Sequence, residues 1–397
     1  MARTAEIIEE SNKIELMQPF TIHVPENTLQ DLRERLQRTR WPDEIGQDWR
    51  YGTNRDYLKS LCEYWATDYD WRHQEHRLNQ LNHMKTDIAP DRRLHFIHQR
   101  SSHKDALPLL MTHGWPGSIA EFLEIIPMLT EPENFGGDAA DAFHVVCPSI
   151  PGYGYSDPPR EPNFDQEQVA WGHIKLMERL GYESYVVQGG DWGSPISSWT
   201  ARLAPERVRA LHLNLIFAGY PKHKAEPFAG VSDEEKQRLA TSRDRMQDGT
   251  GYQSIQSTKP QTLGYGLNDS PAGLAAWIVE KIHGWSHHDG DHEKAIGRDE
   301  LLTNIMIYWC TQSITSSARL YFESAHAQNN LFEHGRINTP TGYALFPGEL
   351  YLPPRVWAEE QYNIEHWSIQ PRGGHFAALE QPTLLAEDLR QFFRRFR

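Results

Sequence analysis

A chain of 397 residues with 39% hydrophobic, 24% charged and 11% aromatic residues has the composition of a folded globular protein and room for about two or three units of ~100 to 200 residues each. Its net charge of -14 repels phosphate backbones and anionic membrane surfaces, which argues against nucleic acid as a partner. The three cysteines, Cys62, Cys147 and Cys310, are odd in number and far apart, so they give neither a disulfide framework nor a paired metal motif and fit a reducing cytoplasm.

The opening "MARTAEIIEESNKIEL" is acidic and broken by charges where a signal peptide would be basic and then apolar. The longest useful apolar run, residues 272–279, falls far short of the ~18 residues of a membrane span, so a soluble protein is expected. Residues 1 to about 100, with an Arg- and Glu-rich helix at 27–39 and a Trp-studded run at 41–71, read as a helical extension packed on the rest. "ALPLLMT", 106–112, is a buried strand that stops at "HGWPGS", and "AFHVVCPS", 142–149, is a second that meets "IPGYGYSDPP". The latter has Gly152 and Gly154 but no third glycine at dinucleotide spacing, which rejects a Rossmann loop.

From Asp165 a helix is predicted, with Asp165 as cap, Gln168 in the capping-box position, and Ala170, Ile174, Met177 and Leu180 on one face. A strand at 184–188, a glycine turn at 189–193, a helix capped by Ser194 with Pro195 first, and a strand at 208–214 follow. This alternation means parallel βαβ units in a doubly wound sheet. Residues 221–340 lose it and read as a helical insertion. Strand signal returns at 343–346 and 363–369, before a last helix. The expected division is an extension at 1–100, a core at 101–220, a lid at 221–340 and the rest of the core at 341–397.

The turn "QGGDWGS" places Asp191 at the tip of a strand-to-helix corner, where a G-x-S-x-G elbow places its serine nucleophile. Chain order on that fold is nucleophile, acid, histidine, and Asp191, Glu349 in "FPGELYLPP" and His375 in "GGHFAALEQP" follow it. Glu359, Glu360 and Glu365 are rival carboxylates, because spacing alone does not place a side chain. An aspartate, already ionised at neutral pH, needs no base before attacking a saturated carbon; His375 is then free to activate water against the resulting ester. The N–H groups of Trp115 and Trp192 are the natural oxyanion donors, and Pro116 sets the turn.

"HGWPGS", "PGYGYS", "GGDWGS" and "GGHFAALEQP", with the opening "FTIHVPENTLQDLRERLQRTRWPDE", resemble the epoxide hydrolases of the microsomal type, including their soluble fungal and bacterial members, over nearly the whole chain. The resemblance implies an α/β-hydrolase fold, a helical lid, an N-terminal extension wrapped around it, and hydrolysis of a small-molecule epoxide to a vicinal diol. It also implies two lid tyrosines that hydrogen-bond the epoxide oxygen and supply its proton. By local motif these fall on Tyr252 and Tyr321, which with Trp115 and Trp192 would bind substrate. The residues alone leave Tyr265, Tyr308 and Tyr343 open. Microsomal members carry an N-terminal membrane anchor, and none is expected from this sequence.

A haloalkane dehalogenase shares the aspartate nucleophile, but commonly carries Asn or Glu where Trp115 stands. A serine esterase would need Ser194, three residues past the tip. A binding protein on the same scaffold would not need Asp191, His375 and a carboxylate. The cluster His287, His288, Asp289, Asp291, His292 and Glu293 reads as a polar lid loop, since adjacent histidines do not easily share one tetrahedral ion. No cofactor and no metal are required. A homodimer is one assembly open to such a chain.

Overall fold

The apolar runs bounded by Gly and Pro corners become the strands of one nine-stranded sheet. The computed structural model describes residues 17–397, so the reading of the N-terminal sequence as free of a leader lies largely outside the described residues. The strands are β1 (Gln18–Pro19), β2 (His83–Ala89), β3 (Arg92–Gln99), β4 (Leu107–Thr112), β5 (Phe143–Pro148), β6 (Tyr185–Gly189), β7 (Val208–Leu213), β8 (Ile337–Leu345) and β9 (Tyr362–Ile369). Their order is β1-β2-β3-β5-β4-β6-β7-β8-β9. From β5 through β9 all neighbours run parallel, while β1, β2 and β3 add an antiparallel edge.

Every residue of β5 and β6 is buried, as expected of parallel strands covered by helices on both faces. The strand order reverses at β4, between β5 and β6. A crevice therefore opens beyond the carboxyl ends of β4 and β6, where this architecture holds its ligands. The corner after β4 carries "HGWPGS" and the corner after β6 carries Asp191.

Helix Gln166–Arg179 starts where predicted, with Asp165 Oδ1 accepting from the N–H of Glu167 at 2.9 Å and of Gln168 at 3.3 Å. Ser194 is not the cap of the next helix. That helix runs Gly193–Leu203 from Trp192, and Ser194 lies inside its first turn, its N–H donating to Asp191 O at 3.0 Å. The tight glycine corner turns into helix two residues sooner than a capping serine would allow.

The stretch expected to be a helical extension to about residue 100 also contains β2 and β3. Lys85 and Asp87 break up the apolar content of "HMKTDIA", and "RRLHFIHQ" opens on two adjacent arginines before burying Leu94, His95, Phe96 and Ile97 in a row. The hairpin signal is Pro90-Asp91, where Asp91 takes φ +55° as a turn aspartate can. The helical part, Glu26–Gln37, Arg55–Thr67 and Trp71–Leu78, lies against the insertion. Tyr64 OH donates to Asp299 Oδ1 at 2.8 Å, Thr53 Oγ1 to Ala276 O at 2.6 Å, and Trp49 stacks on His283 at 3.8 Å. Residues 221–336 hold six α-helices and no strand. No helix among the described residues is long and apolar enough to cross a membrane.

Candidate active site

The corner after β6 leaves little room. Asp191 sits at φ +47°, a left-handed conformation that side chains other than glycine rarely adopt. A Cβ on Gly193 would come within 1.9 Å of Thr112 O, so only glycine lets the helix begin against β4. Strain of this kind persists where surrounding structure holds a functional residue in place.

His375 arrives from the other side of the sheet, on the loop between β9 and helix Ala377–Glu380. Its Nε2 lies 3.2 Å from Asp191 Oδ2 and its Nδ1 lies 2.7 Å from Glu349 Oε1. Glu349 follows β8 with no exposed surface, and its Oε1 also accepts the Leu350 N–H at 2.6 Å. Burial alone would lower the imidazole pKa. The carboxylates of Glu349 and Asp191, one on each ring nitrogen, outweigh burial and hold it well above the usual histidine range. The rival carboxylates are occupied elsewhere: Glu359 pairs with Arg355, Glu360 with Lys224 and Glu365 with Arg395.

The N–H of Trp115, in the corner after β4, donates to Asp191 Oδ1 at 2.8 Å. Trp192 stands at the N-terminal end of helix Gly193–Leu203, where the first backbone donors have no intrahelical partner. Asp191 and Trp192 line a cavity of about 140 Å³ whose other walls include Leu215, Tyr252, Trp285 and Tyr321.

Tyr252 comes from helix Gly251–Gln256 and Tyr321 from helix Ile314–Ala325, both in the inserted region. Tyr252 stacks on Trp115 at 5.1 Å and 7°, Tyr321 stands edge-on to Trp192 at 4.7 Å, and the two phenol rings are 5.8 Å apart. Burial, followed by the Asp191 charge, raises the pKa of Tyr252. Burial and the neighbouring Tyr252 and Asp191 do the same for Tyr321. Both phenols therefore keep their protons at neutral pH. The other candidates do not reach the cavity: Tyr308 OH donates to Gly117 O at 2.7 Å, Tyr265 is 74% exposed, and Tyr343 packs on Trp367.

All seven residues singled out in the sequence, Asp191, Glu349, His375, Trp115, Trp192, Tyr252 and Tyr321, are thus brought to one place. Two neighbours were not read from the sequence. Trp285 ends the helix Pro271–Trp285 and packs on both His375 and Tyr252; its only sequence signal is the end of an apolar run. Glu121 follows the "HGWPGS" corner and faces Asp191 and His375 across a second, smaller cavity. The polar lid cluster does not gather on one point: His287 Nδ1 accepts from Gly373 N–H at 3.1 Å and His288 Nε2 meets His283 O at 2.7 Å.

Comparison with known proteins decides what this arrangement belongs to. A family model described as "Epoxide hydrolase N terminus" matches residues 17–122, and one described as "alpha/beta hydrolase fold" matches residues 108–319. Epoxide hydrolase 1 of Sus scrofa is 40% identical, over 95% of this chain and 88% of its own length. The chain belongs to the epoxide hydrolases. The crystal structure of juvenile hormone epoxide hydrolase from Bombyx mori is 34% identical, with a TM-score of 0.88 over 98% of this chain and 97% of its own. That of Aspergillus niger epoxide hydrolase is 31% identical, with a TM-score of 0.84 over 96% and 97%. That membership removes the dehalogenase reading; epoxide hydrolases of this kind act through an aspartyl ester, and the site residues are left to be assigned.

Proposed function

We propose that this epoxide hydrolase opens its substrate with Asp191 and releases the diol with His375. Asp191 Oδ2 attacks an oxirane carbon, the ring C–O bond breaks, and Tyr252 and Tyr321 hydrogen-bond the departing oxygen and supply its proton. An alkoxide leaving group calls for such acid help, and phenols whose pKa is raised toward that of an alcohol are matched donors that do not compete as nucleophiles. The product is an ester whose carbonyl belongs to Asp191. His375 Nε2 then takes a proton from water, whose oxygen adds to that carbonyl, with the oxyanion held by the N–H groups of Trp115 and Trp192. Glu349 fixes the imidazole tautomer and stabilises the imidazolium.

The observation that carries this assignment is the placement of His375 between Glu349 and Asp191, 2.7 and 3.2 Å away. It also supplies the timing. While Asp191 is charged, His375 is held protonated; once Asp191 is esterified that charge is gone, and the imidazole becomes a free base when a base is needed.

The division into an N-terminal extension, a core and a lid at 221–340 is supported by the lid origin of both tyrosines, with the core beginning at β2 rather than near residue 101. A cytoplasmic location is supported by three unpaired cysteines, two of them buried. The test is a single turnover in heavy-oxygen water. The diol should stay unlabelled while Asp191 gains the label, and label appearing directly in the diol would exclude the ester.

A further inference from the structure

Asp191 is shared by two cavities. One is the substrate cavity below Tyr252 and Tyr321. The other, on the sheet side, leaves about 20 Å³ for a water centre and is lined by Asp191, His375, Glu121, Gln188, Thr112 and Asn214, among others. About 10–15 Å³ on that measure holds one water, provided polar partners surround it. They do: Gln188 Oε1 and Thr112 Oγ1 are buried with no partner among the described residues, and Glu121 lines the same cavity.

Glu121 lies in the short helix Ile119–Phe122. No cation pairs with it among the described residues. Its carboxyl occupies the space that a side chain at position 117 would fill, since a Cβ on Gly117 would come 1.5 Å from Glu121 Oε1. The chain thus gives up a side chain in the "HGWPGS" corner to let a carboxyl from the next turn reach the site. Burial raises its pKa to about 8, with His375 opposing and Asp191 adding to the rise, so at neutral pH it can both donate and accept.

We propose that this cavity holds the water of the second half-reaction and that Glu121 is a positioning residue, gripping that water so that its oxygen faces the Asp191 carbonyl carbon while His375 Nε2 takes its proton. The new bond joins the water oxygen to Asp191 Cγ. The tetrahedral species collapses by breaking the bond from Cγ to the substrate oxygen, which takes the proton back from His375 and leaves as the diol. Substrate and water therefore approach the ester from separate cavities, and Glu121 plays no part in forming it.

This inference rests on the ester reading, and one experiment separates them. Styrene oxide is mixed with wild type, Glu121→Ala, Glu121→Gln and Gly117→Ala, and ester formation and decay are followed by tryptophan fluorescence and intact mass. Glu121→Ala should form the ester within about 3-fold of the wild-type rate and hydrolyse it about 100-fold more slowly, the scale of a lost positioning contact. In that case kcat and KM fall together, kcat/KM is kept and the ester accumulates. Glu121→Gln, which can still hold water, should recover most of the rate. Gly117→Ala, which displaces the carboxyl, should resemble Glu121→Ala even if that variant folds poorly. Ester decay at the wild-type rate in Glu121→Ala and Gly117→Ala would overturn the role of Glu121 alone, as would loss confined to ester formation. Absence of any ester in wild type and in His375→Gln would overturn the reading beneath it.

Discussion

Trp285 and His375 are joined twice: the N–H of His375 donates to Trp285 O at 3.0 Å, and the indole stands edge-on to the imidazole at 5.0 Å. The last residue of a lid helix is thereby fastened to the base on the core. The contact is close enough to exclude a methyl group. A Cβ on Gly374 would meet Trp285 O at 2.6 Å and His287 N at 2.8 Å, backbone atoms that cannot step aside. Gly374→Ala is expected to shift His375 off its line to Asp191 and lower kcat by about 100-fold, the cost of a misplaced group of about 1 Å, with the far-ultraviolet circular dichroism spectrum kept. Wild-type kcat in this variant would mean that the lid does not hold the histidine.

The two phenols should matter in the first half-reaction only. With one of Tyr252 and Tyr321 changed to Phe, the other can still donate, and ester formation should slow by about 10- to 100-fold; with both changed the loss should reach about 10⁴-fold or more. Hydrolysis of ester already formed should be unchanged. Rapid-mixing fluorescence resolves the two steps, because Trp115 and Trp192 pack directly on these rings.

The acid-base order can be read from pH. In the resting enzyme burial lowers the His375 pKa, but Glu349 and Asp191 more than offset it and raise it well above normal. Esterification removes the Asp191 charge, so the pKa falls, and ester hydrolysis should be lost as pH drops through this lower value while ester formation is retained. Glu349→Gln removes the other raising charge. Its acid limb should therefore move to lower pH, with a plateau rate about 10²- to 10⁴-fold below wild type from the lost imidazole orientation. A limb that stays in place would show that Glu349 does not set the base.

Much of this site was legible because each part has a local signature. Asp191 and His375 lie at glycine corners after strands, and chain order links them. Spacing does not single out Glu349, since what separates it from Glu359, Glu360 and Glu365 is which of them finds an arginine or lysine, and that depends on helix docking. Tyr252 and Tyr321 came from family resemblance; nothing in a tyrosine's neighbours in sequence says that two short lid helices will bring it over β6. Glu121 was missed for a related reason. Its value depends on an absent side chain at Gly117, a packing relation rather than a pattern. In the fold, Lys85 and Asp87 interrupt the apolar content of β2, and β3 buries Leu94 to Ile97 consecutively, with a histidine among them, after two arginines, so neither shows a clear apolar period in sequence.

The last helix is fixed to the sheet by a carboxylate that lines neither cavity. Asp388, in helix Pro382–Phe393, accepts from His212 Nε2 on β7 at 2.8 Å and from His366 Nε2 on β9 at 3.0 Å. Burial would raise its pKa, yet the bonds from His212 and His366 prevail and hold it well below the usual carboxylate range. A depressed carboxylate pKa stabilises the fold above the unfolded value of about 4, and that stabilisation is lost as pH falls toward the folded value. Asp388→Asn removes the charge and leaves one of the two histidines facing an NH2 donor instead of an acceptor, so it should cost about 2–4 kcal/mol at pH 7. The urea midpoint should fall accordingly, and its further decline between pH 7 and pH 3 should be shallower than in wild type. Because Asp388 lines neither cavity, kcat/KM at 25 °C should be kept; a loss of activity larger than the loss of folded protein would mean that this tie reaches the active site through β7 or β9.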